Sequence, residues 1–308
     1  MKILFAGELN PDLILRDYSA FPQLGQEVLV EDCTLTLGSA TAICAVGMAK
    51  LGNAVRFSAL VGKDQWGDFC TDWLARGGID VSGIVHDPRV KTGITISITS
   101  AKDRAFVTHL GAMEIFNMSH IAPAVLDGCN HLHVSSFFLQ HGLRPDCKKL
   151  FAEAHQRGMT ASLDPGFDPT EKWESGLRET LEEVDVFFPN EVELRGLGRA
   201  DDLEECLRRL QNGRTLIVAK LGRDGCMALE NGAPLRVPPY PVKVVDTTGA
   251  GDSFNAGFLH AWLRKKPLME ALKFGAACGS LSTREMGGTT CQATEAEAEE
   301  MVYGKAGN

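Results

Sequence analysis

VVDTTGAGDSFNAGFL, residues 244–259, begins like a strand, continues through small residues and ends in an apolar helical pattern. The first amides of a helix have no carbonyl partner within it, so a glycine-rich start leaves N–H groups pointing outward. With the helix dipole they favour a bound anion, and Gly249 and Gly251 let a phosphate approach the backbone. Asp252, on the first turn, could take the proton of an incoming hydroxyl group. The stretch predicts phosphorylation of a hydroxyl group; alternatively, Asp252 only stabilises its own helix.

Around this stretch, short apolar runs alternate with helical patterns over most of the chain. The runs that we predict as strands cover residues 3–6, 56–61, 131–135, 160–164, 186–189 and 216–220. Helical patterns that end at a glycine or a charged turn cover residues 39–51, 67–76 and 146–157. This alternation is typical of a parallel sheet covered on both faces. We therefore expect an α/β fold, with a doubly wound and mostly parallel sheet flanked by helices, in a single domain over residues 1–308.

Two segments, residues 28–37 and 92–110, lack the helical period. Apolar and polar residues alternate over 94–99, the AKDR sequence at 101–104 forms a turn, and AFVTHL continues the pattern. This pattern predicts a β-hairpin with one dry face. We expect a small sheet that serves as a lid, a dimer surface or both; the alternative is an extra antiparallel edge on the main sheet. Its strands would be inserted at about residues 11–37 and 91–111.

The composition excludes several classes of protein. The chain has 308 residues and a formal net charge of −9, which argues against a general nucleic-acid binder. Its nine cysteines contain no CxxC pair, so neither a zinc ribbon nor a redox motif is indicated. No apolar run is long enough for a signal peptide or a membrane span. We expect a cytoplasmic protein with reduced thiols, whose last residues, 294–308, form a helix and a frayed end.

His131 and His133 lie on one face of a predicted strand, in the arrangement of a pair of metal ligands. A third ligand is not evident in the sequence, and zinc sites use at least three protein ligands. We therefore expect the two side chains to be packed or solvated rather than bound to a metal ion.

Six segments, in order along the chain, resemble the ribokinase-like (PfkB) carbohydrate kinases. The segment DTTGAGDSFNAGF, residues 246–258, is similar to the C-terminal signature of that family over nearly its whole length. The other five are GELNPDLIL at 7–15, LGSATAICAVGMAKLG at 37–52, LVGKDQWG at 60–67, PNEVEL at 189–194 and KLGRDG at 220–225. The resemblance implies an ATP-dependent kinase that requires Mg²⁺ and phosphorylates a sugar or sugar-like small molecule.

The resemblance also implies roles for individual residues at the catalytic and nucleotide sites. Asp252 would be the catalytic base, and the amides from Gly249 through Ala250 and Gly251 would form the anion hole. Asn190 and Glu193 would position Mg²⁺ and phosphate through water, although Glu193 read alone would be a solvated helix residue. The nucleotide-binding residues would be Lys220, Gly222, Gly225, Gly251 and Ala276. Lys220 could reach a phosphate, or could only pair with a neighbouring carboxylate, and Ala276 stands where many members have an asparagine near the adenine.

A monovalent-cation site is a further implication of the resemblance. Asp246 matches a family position that helps to hold such an ion, together with backbone carbonyls. The residues of this site would be Asp246, Thr248, Ser282 and Gly287. We expect activation by potassium.

The acceptor end departs from the family pattern. The resemblance assigns acceptor contacts to Asn10, Asp12, Gly38, Ser39, Ile43, Gln140 and Asp252. Ser39 replaces the second glycine of the N-terminal signature and Ile43 replaces its asparagine. An apolar side chain removes polar contacts from a pocket, so we expect an acceptor other than plain ribose; the alternative is that Ile43 turns into the helix core.

Two rival functions remain open. A nucleoside kinase of the same fold would let Ile43 pack against a base. A ligand-sensing protein that has lost catalysis is the second rival, although the intact Asp252 and glycine loop argue against it. A homodimer formed through the lid is expected from the resemblance.

Overall fold

The computed structural model describes residues 1–18, 20–99 and 104–304. Of Arg104 it describes the backbone but not the side chain. The strands are β1 (Lys2–Ala6), β2 (Pro11–Arg16), β3 (Asp32–Leu37), β4 (Ala54–Gly62), β5 (Asp80–Asp87), β6 (Ile94–Thr99), β7 (Arg104–His109), β8 (His131–Val134), β9 (Thr160–Leu163), β10 (Val186–Phe187), β11 (Leu216–Lys220), β12 (Cys226–Glu230) and β13 (Ala233–Val237). The helices are α1 (Ala40–Lys50), α2 (Gln65–Arg76), α3 (Ala112–Ile115), α4 (Cys147–Gln156), α5 (Leu177–Leu181), α6 (Glu191–Gly198), α7 (Leu203–Leu210), α8 (Ala250–Leu263), α9 (Leu268–Ser282) and α10 (Glu295–Tyr303).

The larger sheet contains nine strands in the order β13-β12-β11-β10-β9-β8-β1-β4-β5. The pairs from β11 across to β5 are parallel, whereas β12 and β13 add an antiparallel edge. The expected doubly wound, mostly parallel sheet is confirmed. Because its central strands are parallel, their carboxyl ends meet at one edge, which is where sheets of this kind bind ligands.

Helices cover both faces of this sheet. Successive side chains of β1 alternate between the faces, because Ile3 and Phe5 join one apolar cluster and Leu4 and Ala6 join the other. The first cluster packs beneath α1, α2, α8, α9 and α10, and the second beneath α4, α6 and α7. Helix α2 begins at Gln65, two residues before the predicted start, because the Asp64 carboxylate accepts hydrogen bonds from the first amides of the helix.

The smaller sheet contains four strands in the order β3-β2-β6-β7 and is separate from the larger one. Strands β6 and β7 pair antiparallel from Ile94 with His109 to Thr99 with Arg104, as the hairpin pattern predicts. The alternative of an extra edge on the main sheet is therefore wrong. Most of the expected turn at 101–104, and the frayed end expected beyond 304, lie outside the described residues. Among the described helices, none has the length and apolar character that crossing a bilayer requires.

Candidate active site

Polar side chains collect where the parallel strands end. Glu8 follows β1, Ser136 follows β8 and Asp164 follows β9, while Asn190 comes after β10 and Lys220 ends β11. Since these strands are neighbours in the sheet, their carboxyl ends bring the five residues to one edge.

Helix α8 starts at this edge with its first amides uncapped by any side chain. Gly249 precedes the helix at φ 70°, a conformation that glycine adopts without strain. The amide of Ala250 donates to the Thr247 carbonyl at 3.2 Å. The amides of Gly251 and Asp252 follow in the first turn, where a helix offers no carbonyl to its N–H groups. These two amides are therefore the best-placed donors for an anion.

The Asp252 carboxyl is half-buried, and its surroundings raise its pKa well above the ordinary value. Burial is the main cause and the nearby carboxylate of Asp164 adds to it, while the Lys220 ammonium opposes the rise. The carboxylates of Glu8 and Glu193 contribute further in the raising direction. A carboxylate with a raised pKa is a stronger base, as proton removal from a hydroxyl group requires.

Lys220 links the strand ends to this helix start. Its ammonium group forms an ion pair with Asp164, whose Oδ2 atom also accepts from Asn255 Nδ2 at 2.6 Å. A Cβ atom on Gly251 would lie 3.5 Å from Lys220 Nζ, so the ammonium lies beside the first turn of α8. Lys220 was expected either to reach a phosphate or to pair with a carboxylate. The structure shows the pairing with Asp164 and also places the ammonium group next to the anion site.

Asn190 and Glu193 form a reciprocal cap at the start of α6. The Asn190 amide and side chain donate to the two Glu193 carboxylate oxygens at 2.7 Å each, and Asn190 Oδ1 accepts from the Glu193 amide at 2.9 Å. Burial and the Asp164 charge raise the pKa of Glu193 to about 7. Glu193 is buried, so it is not the solvated helix residue of the alternative interpretation.

The donor set around α6 suits Mg²⁺ held through water. Both Glu193 oxygens already accept hydrogen bonds, and the described residues contain no group of three or more acidic, histidine or cysteine side chains that could enclose a metal ion. Mg²⁺ keeps most of its waters and is usually bound by one or two carboxylates together with substrate phosphates. Glu193 supplies one carboxylate of this kind, and its contact with Mg²⁺ stays a prediction.

The turn between β11 and β12 carries the other predicted nucleotide residues. Gly222 and Gly225 have φ values of 55° and 83°, and the Leu221 amide closes the turn on the Gly225 carbonyl at 2.8 Å. A Cβ atom on Gly225 would overlap the Val237 carbonyl, so glycine is required there. Ala276 is buried on α9, and its contact with an adenine stays a prediction.

The segments expected to share a monovalent cation are in contact. Asp246 Oδ2 accepts from the Gly287 amide at 2.9 Å, and Asp246 Oδ1 accepts from the Thr248 amide and hydroxyl at 2.9 and 2.8 Å. The Val245 amide donates to the Thr283 carbonyl at 2.8 Å. The Ser282 hydroxyl donates to the Gly279 carbonyl at 2.9 Å within α9, and a contact between Ser282 and an ion stays a prediction.

The predicted acceptor residues Asn10, Asp12 and Gly38 meet at the smaller sheet. Asn10 Nδ2 lies 3.4 Å from both Asp12 Oδ1 and Thr95 Oγ1. Any Cβ atom on Gly38 would overlap the Asp12 carboxylate. Burial alone raises the pKa of Asp12 to about 7, and no cation contributes to this shift.

Ser39 immediately precedes α1, and Ile43 lies in the first turn of that helix. Ser39 adopts φ 71°, a conformation normally reserved for glycine, and its hydroxyl donates to the Glu8 carbonyl at 2.5 Å. The Ile43 side chain packs against the two glycines of the neighbouring loops, since Cβ atoms on Gly249 and Gly288 would lie 2.9 and 2.6 Å from it. It is therefore part of the support behind the anion loop.

Gln140 is fully buried next to the end of β1. Its Nε2 atom donates to the Ser135 carbonyl at 2.5 Å, and its Oε1 atom has no hydrogen-bond partner among the described residues. A contact between Gln140 and an acceptor remains a prediction.

Glu8, Ser136 and Asp164 lie at this edge but were absent from the sequence-based site. Glu8 is buried and accepts from Thr41 and Ser136, and Asp164 pairs with Lys220. The available signal was their place at or just beyond the ends of predicted strands, because polar residues at that place in a parallel sheet commonly face a ligand.

His131 and His133 are packed in the core. His131 Nε2 and His133 Nδ1 both lie 2.7 Å from Ser162 Oγ, and Thr160 and Ser135 bond the outer ring nitrogens at 2.8 Å. Burial lowers the pKa of both rings, that of His133 to about 4, so both are neutral near pH 7. The expectation of packed histidines is met.

The chain is similar to sugar kinases over nearly its full length. The sequence profile of the pfkB family carbohydrate kinases matches residues 1–295. An ATP-dependent ribose-1-phosphate kinase of Halopiger xanaduensis is 27% identical over 300 residues, which cover 97% of each chain. A ribokinase of Haemophilus influenzae is 26% identical over 307 residues, covering 96% of each chain. The structure of a fructokinase from Xylella fastidiosa with bound ATP is 25% identical and superposes with a TM-score of 0.84 over 98% of both chains.

The relatives differ in acceptor, so their identity of about a quarter leaves the acceptor of this chain open. The nine-stranded, mostly parallel sheet and the separate four-stranded sheet agree with membership in the family that the sequence profile matches. On these grounds the chain belongs to the pfkB family of carbohydrate kinases and is a sugar kinase, a phosphotransferase with an alcohol group as acceptor.

Proposed function

We propose that this kinase transfers the γ-phosphoryl group of Mg²⁺–ATP to a hydroxyl group of an uncharged sugar or sugar-like molecule, with Asp252 as the base. One observation carries the proposal: the raised-pKa carboxylate of Asp252 shares the uncapped first turn of α8 with the free amides of an anion site. A base and an anion hole side by side suit phosphoryl transfer, which depends mainly on positioning and charge stabilisation.

Each part of the site has a defined task in this proposal. The amides of Gly251 and Asp252 hold the phosphoryl oxygens, and the Lys220 ammonium beside them adds positive charge. Asp12 accepts a hydrogen bond from a second acceptor hydroxyl and so orients the reacting one. Asp252 takes the proton of the reacting hydroxyl as the phosphoryl group transfers. Asn190 and Glu193 would hold Mg²⁺ when it binds with ATP, and the ion would neutralise part of the phosphate charge.

The acceptor is proposed to be uncharged because of the carboxylates around its pocket. Burial is the first cause that raises the pKa of Asp12 and of Asp252, so a negative charge in this region is already disfavoured. An acceptor carrying a carboxylate or a phosphate would add another negative charge to this region. Neutral hydroxyl groups donate hydrogen bonds to carboxylates at a lower desolvation cost.

A nucleoside kinase remains the second candidate. That interpretation relies on Ile43 packing against a base, and the Ile43 side chain lies beside Gly249 and Gly288, next to the anion site. Phosphorylation of nucleosides without phosphorylation of free sugars would favour this second candidate.

A panel of acceptors tests the proposal. ADP formation would be measured with neutral sugars, sugar phosphates, sugar acids and nucleosides, using Asp252→Asn as the inactive control. We expect turnover with neutral sugars, reduced at least ~10²-fold in the variant, the usual contribution of a general base. Preference for a sugar phosphate or acid would contradict the uncharged acceptor, and full activity of Asp252→Asn would contradict the base.

The proposal includes potassium activation and a homodimer. The contact between Asp246 and Gly287 supports an ion shared by their two segments, next to the loop that supports Gly249. Rates would be compared from zero to about 100 mM KCl at constant ionic strength. A rate that does not change with KCl concentration would contradict activation by potassium.

Dimerisation through the smaller sheet would be tested by sedimentation. A protein that is monomeric at all concentrations would argue against the dimer.

A further inference from the structure

Glu8 is a buried carboxylate with an unusual set of partners. The residue is 3% exposed, and its carboxylate accepts three hydrogen bonds. The Oε1 atom accepts from the Thr41 amide at 3.1 Å and from Ser136 Oγ at 2.9 Å, and the Oε2 atom accepts from Thr41 Oγ1 at 2.6 Å. Burying a carboxylate is costly unless its oxygens are bonded. The three donors therefore account for its presence in the interior.

These bonds join three segments that are distant in sequence. Glu8 itself follows β1, Thr41 belongs to the first turn of α1, and Ser136 belongs to the turn after β8. The Glu8 carbonyl also accepts from Ser39 Oγ at 2.5 Å, immediately before α1. Side chain and backbone of one residue thus fix the start of α1 to the carboxyl edge of the sheet.

The same turn of α1 connects the two halves of the reaction site. Just before this turn, Gly38 contacts the Asp12 carboxylate, which is the proposed acceptor contact. Within the turn, Ile43 packs against Gly249, which precedes the anion site. A displacement of this turn would therefore change the acceptor position relative to the anion site.

We propose that Glu8 is a positioning residue for phosphoryl transfer, whose carboxylate fixes the first turn of α1 and so sets the Asp12 side of the pocket against the Gly249 loop. This inference rests on the proposed function, because the reaction defines what must be aligned. Misplacement of reacting groups by about 1 Å can reduce rates ~10²-fold, so a residue without substrate contact can have a large effect.

Electrostatics is consistent with a place close to the base. Burial raises the pKa of Glu8 above its ordinary value, and the hydrogen bonds from Thr41 and Ser136 oppose that rise. Glu8 also contributes to the raised pKa of Asp252, together with Asp164 and Glu193 and against Lys220.

Two substitutions separate alignment from general stability. In Glu8→Gln, Oε1 still accepts from the Thr41 amide and from Ser136, and the new amide can donate to Thr41 Oγ1. Glu8→Ala removes all three bonds. The matched control is Asn53→Ala, because Asn53 is also buried and bonds Met48 at 2.9 Å and His260 at 3.1 Å, at the opposite ends of α1 and α8.

Kinetics on the full-length enzyme gives the first result. We expect Glu8→Ala to raise the acceptor KM and lower kcat by about tenfold or more each, with the ATP KM within about twofold of wild type. Glu8→Gln should stay within about threefold of wild type. Asn53→Ala should lower the Tm while leaving both KM values unchanged. The inference would be overturned if Glu8→Ala and Asn53→Ala changed the acceptor KM and kcat equally, or if Glu8→Ala had wild-type kinetics.

Hydrogen–deuterium exchange gives a second result that does not depend on turnover. In Glu8→Ala without ligands, exchange should accelerate in peptides covering 39–43 and 135–137 and remain unchanged in α4 and α9. Uniform acceleration, or none, would contradict the role of Glu8. A wild-type enzyme that phosphorylates no acceptor would defeat the proposed function, and the exchange pattern would still decide whether Glu8 holds the turn.

Discussion

The ammonium group of Lys220 forms an ion pair with the carboxylate of Asp164, and the two side chains are only 13% and 7% exposed. Water screens such a buried pair poorly, so removing one partner leaves an uncompensated charge in the interior. The same ammonium lies beside Gly251 and lowers the pKa of Asp252. The pair therefore couples the stability of the sheet edge to the chemistry of the base.

Lys220→Met should reduce both activity and stability. We expect kcat to fall ~10²–10³-fold, which is typical for the loss of a charge-stabilising donor. The acid limb of the kcat/KM profile should move to higher pH, because Asp252 must be ionised and Lys220 lowers its pKa. Kinetics across pH 5–9 would measure both effects. An acid limb that moves to lower pH would contradict the conclusion that Lys220 lowers the pKa of Asp252.

The double variant Asp164→Asn/Lys220→Met is the control for the buried charge. Breaking a buried pair costs about 3–5 kcal/mol, whereas neutralising both partners is often tolerated. Urea unfolding should therefore find the double variant more stable than Lys220→Met, although its activity stays low. Equal stability of the two variants would mean that the pair is not buried in solution.

The sequence predicted the fold and the glycine-rich start of α8 well because both rest on local patterns. Strand and helix alternation and a glycine-rich helix start are readable within short windows of residues. The side-chain direction of Ile43 was not readable, because residues 41–48 of α1 are all buried. An apolar pattern that surrounds a helix has no phase, so it cannot tell which face meets a pocket.

The sequence patterns also could not identify contacts between residues that are far apart along the chain. Asp164 and Lys220 are separated by 56 positions, and Glu8 and Ser136 by 128. Their contacts depend on the order of strands in the sheet, which the local patterns do not specify. The rule that parallel strands expose their carboxyl ends at one edge would have selected these residues as candidates, but not as pairs.

Ile43→Asn tests the position of this side chain. If Ile43 supports the anion loop, an asparagine places an amide against Gly249 and Gly288 instead of adding a contact to the acceptor. We expect a loss of about 2–4 kcal/mol in unfolding free energy and no improvement in ribose KM. Ile43→Val, the conservative control, should cost about 0.5–1.5 kcal/mol. Stronger ribose binding by Ile43→Asn would instead place the side chain in the acceptor pocket.

Ser39 combines a strained backbone with two useful hydrogen bonds. At φ 71° the residue is strained, while its hydroxyl bonds the Glu8 carbonyl and accepts from the Ala42 amide at 3.2 Å. Ser39→Ala keeps the strain and loses the bonds, so it should destabilise the enzyme by about 1–3 kcal/mol. Ser39→Gly also relieves the strain, worth about 1 kcal/mol, and should be the more stable of the two. Thermal unfolding of both variants checks the order, and a more stable alanine variant would contradict it.

The buried histidines make stability depend on pH. Burial lowers the pKa of His133 to about 4, compared with an ordinary value of 6.5. Below pH 6.5 the unfolded chain binds a proton at this position and the folded chain does not, so stability is lost as the pH falls toward 4.

His133→Phe should weaken this dependence, although it costs stability at pH 8 because Ser162 and Ser135 lose a partner. Between pH 6.5 and 4.5 the wild type should lose roughly 2 kcal/mol more than the variant, since one pKa unit corresponds to ~1.4 kcal/mol. Urea unfolding at a series of pH values measures the two slopes. Parallel curves would mean that His133 takes up its proton in the folded state, and that water or a carboxylate reaches the ring in the core.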